Sequence, residues 1–230
     1  MPEYAWTRKP DFRNIRHIDY DEYWRTRGLS VNASLKDREK LMLERIPEGS
    51  KVLDIGCGNS RLPVELKAKS VSIEVADLST SVLVLFAKHN IPARTLDLEH
   101  LDCATLQTYD YIILSEVLEH TTNPEEIIAT LLPHTTRFLI TIPNSAFYRY
   151  RFHLMFAGRF FTQWVHHPSE HVRFWSHIDF LEWLSAQGLT VEESVASNGF
   201  SFFGLMPFVK NLHKNLFGHQ ILYVCSTEKK

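Results

Sequence analysis

Residues 52–60 read Val-Leu-Asp-Ile-Gly-Cys-Gly-Asn-Ser. Val52, Leu53 and Ile55 form a short apolar run suited to a buried parallel strand. Gly56, Cys57 and Gly58 follow at once, and a helical pattern opens near Arg61. In a strand, glycine turn and helix in that order, the backbone bends tightly and comes close to a bound nucleotide. Asp54 stands at the strand end, where a carboxylate accepts hydrogen bonds from a polar ligand. A lone Gly-x-Gly is weak evidence. The acidic residue two positions before it and a matching strand downstream strengthen it.

Upstream, Asp19 to Gly28 reads as a short helix with Tyr20, Tyr23 and Trp24 on one side, following an irregular arm. An aromatic face of this kind serves either as a core cover or as a lid over a ligand. Ser34 is the expected cap of a helix to Ile46 that buries Leu35, Leu41, Met42 and Ile46. Residues 1–50 are therefore an arm with lid or packing helices, and residues 51–230 are one domain with an insert at about 145–175.

Downstream, strands are expected at 71–76, 92–96, 109–115 and 138–142. Helices are expected at 61–68, at 80–89 with Ser79 as cap, and at 124–132 with Asn123 as cap. This alternation predicts an α/β fold, an open and mostly parallel sheet with helices on both faces. Such sheets bind ligands at the carboxyl ends of their strands. Asp54, Asp77, Asp97 and Glu116 all fall at such ends, and four acids on one edge exceed what solvation requires. Two residues compete to hold ribose hydroxyls. Glu74 has the nearer spacing to the glycine turn, but Asp77 has the better place on the strand and is preferred. Asp77 alone suits a helix N-terminus equally well; its weight comes from Asp54.

The insert interrupts the alternation with Phe147, Tyr148, Arg149, Tyr150, Arg151, Phe152, Phe160, Phe161 and Trp164. Insertions on the ligand edge commonly build a substrate pocket, and a helical cap completing the core is the plainer alternative. Ser176 caps a helix through Gln187 that ends at Gly188. Strands at 190–196 and 220–226 close the chain as an antiparallel hairpin on a sheet edge. The apolar run from Gly199 to Val209 is followed by Lys210, His213 and Lys214, a composition that suits either a buried connection or contact with a lipophilic acceptor or a membrane surface.

The chain has 230 residues and a net charge of −2, so no overall field favours nucleic acid or acidic membranes. Arg149, Arg151 and Arg159 do not overturn that balance, because arginines beside aromatics also line ordinary pockets. Cys57, Cys103 and Cys225 cannot all pair, and no secretory signal opens the sequence, so a reducing cytoplasm is expected. No apolar run approaches the ~20 residues of a membrane-spanning helix.

At VLDIGCGNS, ADLS, TLDLEHL and YDYIILSEVLEH the chain resembles class I S-adenosylmethionine-dependent methyltransferases. The likeness covers Lys51 to Asn144 closely and the carboxyl third more loosely. It implies a Rossmann-like, seven-stranded sheet whose last strand is antiparallel, and S-adenosylmethionine as cofactor. Asp54 and Gly56, Cys57 and Gly58 would line the methionine end, Asp77 would hold the ribose, Asp97 and Leu98 would meet the adenine, and Ser115 and Glu116 would face the sulfonium. Leu78, beside Asp77, belongs to the same set. The third small position of the turn is Ser60 rather than glycine, and serine still allows helix and strand to approach.

Within that superfamily, Val52 to Trp183 looks like the MetW-like group of methionine biosynthesis. That likeness allows a second role, a non-catalytic subunit supporting another enzyme. Glu116, Glu119 and His120, with His171 later, resemble the E-x-x-E-H pattern of metal-assisted O-methyltransferases of the UbiG and HEN types. The resemblance implies that these four residues hold Mg²⁺ or Mn²⁺, and that methyl goes to the oxygen of a small or medium acceptor. A Glu-His pair that merely hydrogen-bonds the next helix is the alternative, in which His120 or His171 still serves as general base. Glu119, His120 and His171 are the catalytic candidates. His167 to His171 also matches an H-x-x-E-H protease pattern, but Pro168 fits only a helix start.

Overall fold

The computed structural model describes residues 19–26, 28–101, 106–158, 171–201 and 208–227. The early arm, Cys103, Arg159, Phe160, Phe161, Trp164, residues 166–170 and residues 202–207 of the apolar run lie outside them.

Seven strands form one sheet in the order β3-β2-β1-β4-β5-β7-β6. They are β1 (Lys51–Ile55), β2 (Ser72–Asp77), β3 (Ala93–Thr95), β4 (Tyr109–Ser115), β5 (Thr135–Pro143), β6 (Thr190–Gly199) and β7 (Gly218–Ser226). β1 to β5 run parallel, and β7 pairs antiparallel with both β5 and β6. The Rossmann-like sheet and its terminal hairpin therefore form as expected. Strand order reverses between β1 and β4, which opens a crevice at their carboxyl ends.

Alternation along the strands feeds two cores. Leu53, Ile55, Ile112 and Leu114 face α5 (Pro124–Leu131) and α7 (His177–Ala186). Val52, Ile73, Val75 and Ile113 face α2 (Asp37–Arg45), α3 (Leu62–Ala68) and α4 (Thr80–Ala87). The central strands are apolar on both faces because helices cover both.

Ser79 caps α4 by accepting from the Val82 amide at 3.3 Å, and Ser176 caps α7 by accepting from Asp179 at 3.1 Å. Two expected caps differ. α2 starts after Lys36, not Ser34, because the Glu39 carboxylate accepts the Lys36 amide at 2.9 Å. Asn123 spends its side chain on Glu126, 2.6 Å away, and makes no cap bond to α5.

The insert contributes α6 (Tyr148–Ala157), while α8 (Val209–Leu212) and α9 (Lys214–Phe217) precede β7. Asn144, fully buried after β5, ties these pieces together. Its Nδ2 donates to Gly218 O at 2.7 Å and Lys214 O at 3.1 Å, and its Oδ1 accepts from Ala146 and His177.

Candidate active site

The cleft lies at the carboxyl ends of β1, β2 and β4 and encloses about 330 Å³, within the range of small-molecule sites. All of the cofactor candidates line it: Asp54, Gly56, Cys57 and Gly58 from the first strand and turn; Asp77, Leu78, Asp97 and Leu98 from the next two; Ser115 and Glu116 from β4. His120 lines it as well.

The glycine turn needs glycine. Gly56 and Gly58 have φ of 69° and 49°, a region that L side chains rarely enter. A Cβ on Gly56 would stand 2.5 Å from Val117 Cγ2, and one on Gly58 2.6 Å from Trp24 Cζ2. Trp24 thus sits directly on the turn. It comes from α1 (Tyr20–Thr26), none of whose residues is fully buried. Tyr20, Tyr23 and Trp24 all face the cleft. Asp21 pins α1 to the start of α4, accepting from Ser79 Oγ at 2.5 Å and the Ser81 amide at 3.1 Å.

Asp77 is almost wholly buried and accepts the Gly58 amide at 2.9 Å and the Ser79 amide at 2.9 Å. Burial still raises its pKa above the ordinary carboxylate value. Asp54 is 2% exposed, and burial, with Glu39 and Asp77 nearby, pushes its carboxyl well up. Both groups favour a ligand that brings hydrogen-bond donors or positive charge. Asp97 spends its carboxylate on the Glu99 amide at 2.9 Å and His100 Nδ1 at 3.0 Å, and the His100 contact lowers its pKa. Glu74, the competitor for the ribose role, is bound to Arg94 and Tyr109 and is not among the residues lining the cleft.

Past β4 the chain turns sharply at Glu116, whose φ is +58°. A single 3-10 turn over Leu118–His120 follows. The Glu119 carbonyl accepts the amides of Val172 at 2.9 Å and Arg173 at 3.2 Å, which draws His171 against His120 with ring centroids 4.6 Å apart. Ligand atoms of Glu119, His120 and His171 all fall within 4.8 Å of one another. Glu116 is outside that group, because the turn begins after it. Its Oε2 accepts from Gln220 at 2.7 Å. Both Glu119 oxygens and Glu116 Oε1 are buried with no hydrogen-bond partner among the described residues. Burial pushes the Glu119 carboxyl well up, and burial beside His120 lowers His171 to about 3.

Several cleft residues escaped the sequence reading. Arg38 lines the cleft and donates from Nε to Ser115 Oγ at 3.1 Å, and Lys36 stands nearby. Glu39, buried at 3% exposure, accepts from Ser60 Oγ at 3.1 Å beneath the turn. A signal existed: Glu39, Met42 and Ile46 share one helical stripe, so a charged residue stood on an apolar face.

The family described as methionine biosynthesis protein MetW matches residues 36–225. The chain belongs to the MetW family. Among curated relatives, the bifunctional methionine biosynthesis protein MetXA/MetW of Rhodopirellula baltica is 29% identical over 68% of this chain and 28% of its own length. The ubiquinone biosynthesis O-methyltransferase of Xanthomonas axonopodis is 25% identical over 64% of this chain and 65% of its own. This MetW chain thus spans less than two thirds of either relative. A TehB-like S-adenosylmethionine-dependent methyltransferase of Corynebacterium glutamicum shares the fold with TM-score 0.57 at 19% identity, over 91% of this chain and 96% of that one. Magnesium protoporphyrin IX methyltransferase of Synechocystis, solved with bound SAH, shares it with TM-score 0.59 at 14% identity, over 91% and 94%. The class I methyltransferase fold is therefore that of the MetW chain.

Proposed function

We propose that this MetW chain binds S-adenosylmethionine in the cleft and transfers its methyl group to an oxygen of a small or medium acceptor. The observation carrying the reading is Asp77, a buried carboxylate at the end of β2 that holds the Gly58 amide on the cleft floor. Its oxygens keep lone pairs for two adjacent ribose hydroxyls. Asp54, with its raised pKa, suits the methionine ammonium. Asp97 and Leu98 stand where adenine would lie, and Ser115 and Glu116 where the sulfonium would.

When bound, the cofactor supplies an electrophilic methyl for in-line displacement, and the chain's task is alignment and exclusion of water. In this reading α1 provides the lid, closing over the turn through Trp24. Without a metal ion, His120, which lines the cleft beside the Glu119–His171 cluster, takes the acceptor's hydroxyl proton.

Glu119, His120 and His171 also fit a divalent ion. A carboxylate with two orphaned buried oxygens and two adjacent imidazoles, one held neutral, form a donor set that a cation would satisfy. Two nitrogen donors suit Mn²⁺ better than Mg²⁺. Such an ion would lower the pKa of a bound acceptor oxygen.

Isothermal calorimetry with S-adenosylmethionine tests the assignment. Wild type binds, and Asp77→Ala weakens binding at least 30-fold, the equivalent of about 2 kcal/mol for paired charge-assisted hydrogen bonds. Equal affinity in the variant would remove the ribose role from Asp77.

A further inference from the structure

The chain carries 27 acidic residues, yet none lies between 145 and 169 or between 194 and 227. Those two stretches contain α6, α8 and α9 and meet in space. Arg151 Nη2 donates to Asn215 O at 3.3 Å, and the Tyr148 ring lies 6.4 Å from that of Phe217. The surface that α6, α8 and α9 share is apolar and carries no acid of its own, with Glu193 of β6 lying near Lys214. Phe152, Met155 and Phe156, at helical spacings of three and four, are 48%, 66% and 67% exposed, and Phe208 and Leu212 are 57% and 73% exposed. The Phe152 and Phe156 rings lie parallel in an offset stack, with centroids 5.8 Å apart, so the two exposed aromatics form one continuous patch. Arg149 stands one turn earlier, exposed and lying 5.8 Å over the Tyr148 ring.

We propose that α6 and the α8–α9 segment form a docking surface for a bilayer bearing anionic headgroups. Phe152, Met155, Phe156 and Leu212 enter the acyl boundary, and Arg149 and Lys214 meet the headgroups. Exposed aromatic and aliphatic side chains beside basic ones are the chemistry of interfacial binding. A nucleic acid would use the same charges but would leave Met155 and Leu212 in water. No helix among the described residues is long and apolar enough to cross a membrane, so the contact is with the surface. The α6 helix follows β5 at its carboxyl end, the edge of the sheet that carries the cleft, so docking would present the cleft to molecules dissolved in the bilayer.

Vesicle binding needs neither cofactor nor acceptor, so this inference stands or falls apart from methyl transfer. The full chain is sedimented with vesicles of phosphatidylcholine alone and of phosphatidylcholine with roughly one third phosphatidylglycerol. Binding to the mixed vesicles at least tenfold tighter than to the neutral ones, and weakened by added salt, is expected. Phe152→Ser with Phe156→Ser abolishes it, and Arg149→Gln with Lys214→Gln weakens it about 25-fold, near fivefold per charge. Thermal melting checks that each variant folds, and Met155→Ser with Leu212→Ser carries the same test should the aromatic pair not fold. Three results overturn the proposal. They are no sedimentation with either vesicle, binding of single-stranded RNA through Arg149 without vesicle binding, and a dimer in solution that Phe156→Ser dissociates.

Discussion

Gln220 donates from Nε2 to Glu116 Oε2 across 2.7 Å, joining the antiparallel last strand to the turn after β4. The bond ends a directional chain. Tyr150 Oη donates to His219 Nε2 at 2.5 Å, His219 Nδ1 donates to Asn198 Oδ1 at 2.9 Å, and Asn198 Nδ2 donates to Gln220 Oε1 at 2.7 Å. Asn198 lies between irregularities in the β6–β7 register, one toward Ala196 and one toward Gly199, and bulges of that kind re-aim side chains beside active sites. The insert helix is thereby linked, bond by bond, to an acid that lines the cleft.

Glu116 Oε1 is already buried without a partner among the described residues. Gln220→Leu would leave both oxygens of the carboxylate unpaired. A loss of about 1.5–3 kcal/mol in urea unfolding is expected, the range for a buried hydrogen bond to a charged group. An unchanged midpoint would mean that Glu116 simply swings to solvent.

Gly58→Ala meets two obstacles at once. The backbone is left-handed at φ 49°, and the new methyl falls 2.6 Å from the Trp24 ring. The first costs about 1–2 kcal/mol, and the second displaces Trp24 from the turn. Tryptophan emission should shift to the red, and Trp24→Ala added to Gly58→Ala should recover part of the stability but not the part owed to φ. Unshifted emission would place the Trp24 ring elsewhere in solution.

MnCl₂ should raise the melting temperature of the wild-type protein, because a ligand that binds only the folded state stabilises it. Glu119→Gln should abolish that rise. Without metal, the same variant should be at least as stable as wild type, since its neutral amide replaces a carboxyl that burial penalises. Equal manganese shifts in both proteins would place the ion elsewhere.

The sequence made the sheet legible because its central strands are continuous apolar runs ending in acids, and Asp54, Asp77, Asp97 and Glu116 do meet at one cleft. The E-x-x-E-H likeness groups Glu116 with Glu119 and His120, as a single helical turn through all three would. The left-handed residue at its own position breaks that turn, and a spacing pattern carries no φ. The roles of Asn144, Gln220 and Asn198 were hidden for another reason. Each bonds a segment 20 or more residues away in sequence, and an amide in a strand or loop has no periodicity to announce it. Arg38 and Glu39 come from residues 1–50, whose contact with the turn depends on how α2 packs against α3.

His219 is 7% exposed, and burial, with Arg149 nearby, lowers its pKa to about 4. The unfolded chain takes a proton near pH 6.5, where the folded one does not. The stability owed to this group is therefore whole above pH 6.5, falls as pH drops, and levels off near pH 4. The raised carboxyls of Asp54 and Asp77 work in the opposite sense, so the wild-type curve alone would blend the two. Subtracting the curve of His219→Asn isolates the histidine. The difference in unfolding free energy should shrink by about 1.4 kcal/mol per pH unit between pH 6.5 and the plateau. A difference independent of pH would mean that folded His219 titrates like a solvated imidazole, and that the chain from Tyr150 to Glu116 does not hold it neutral.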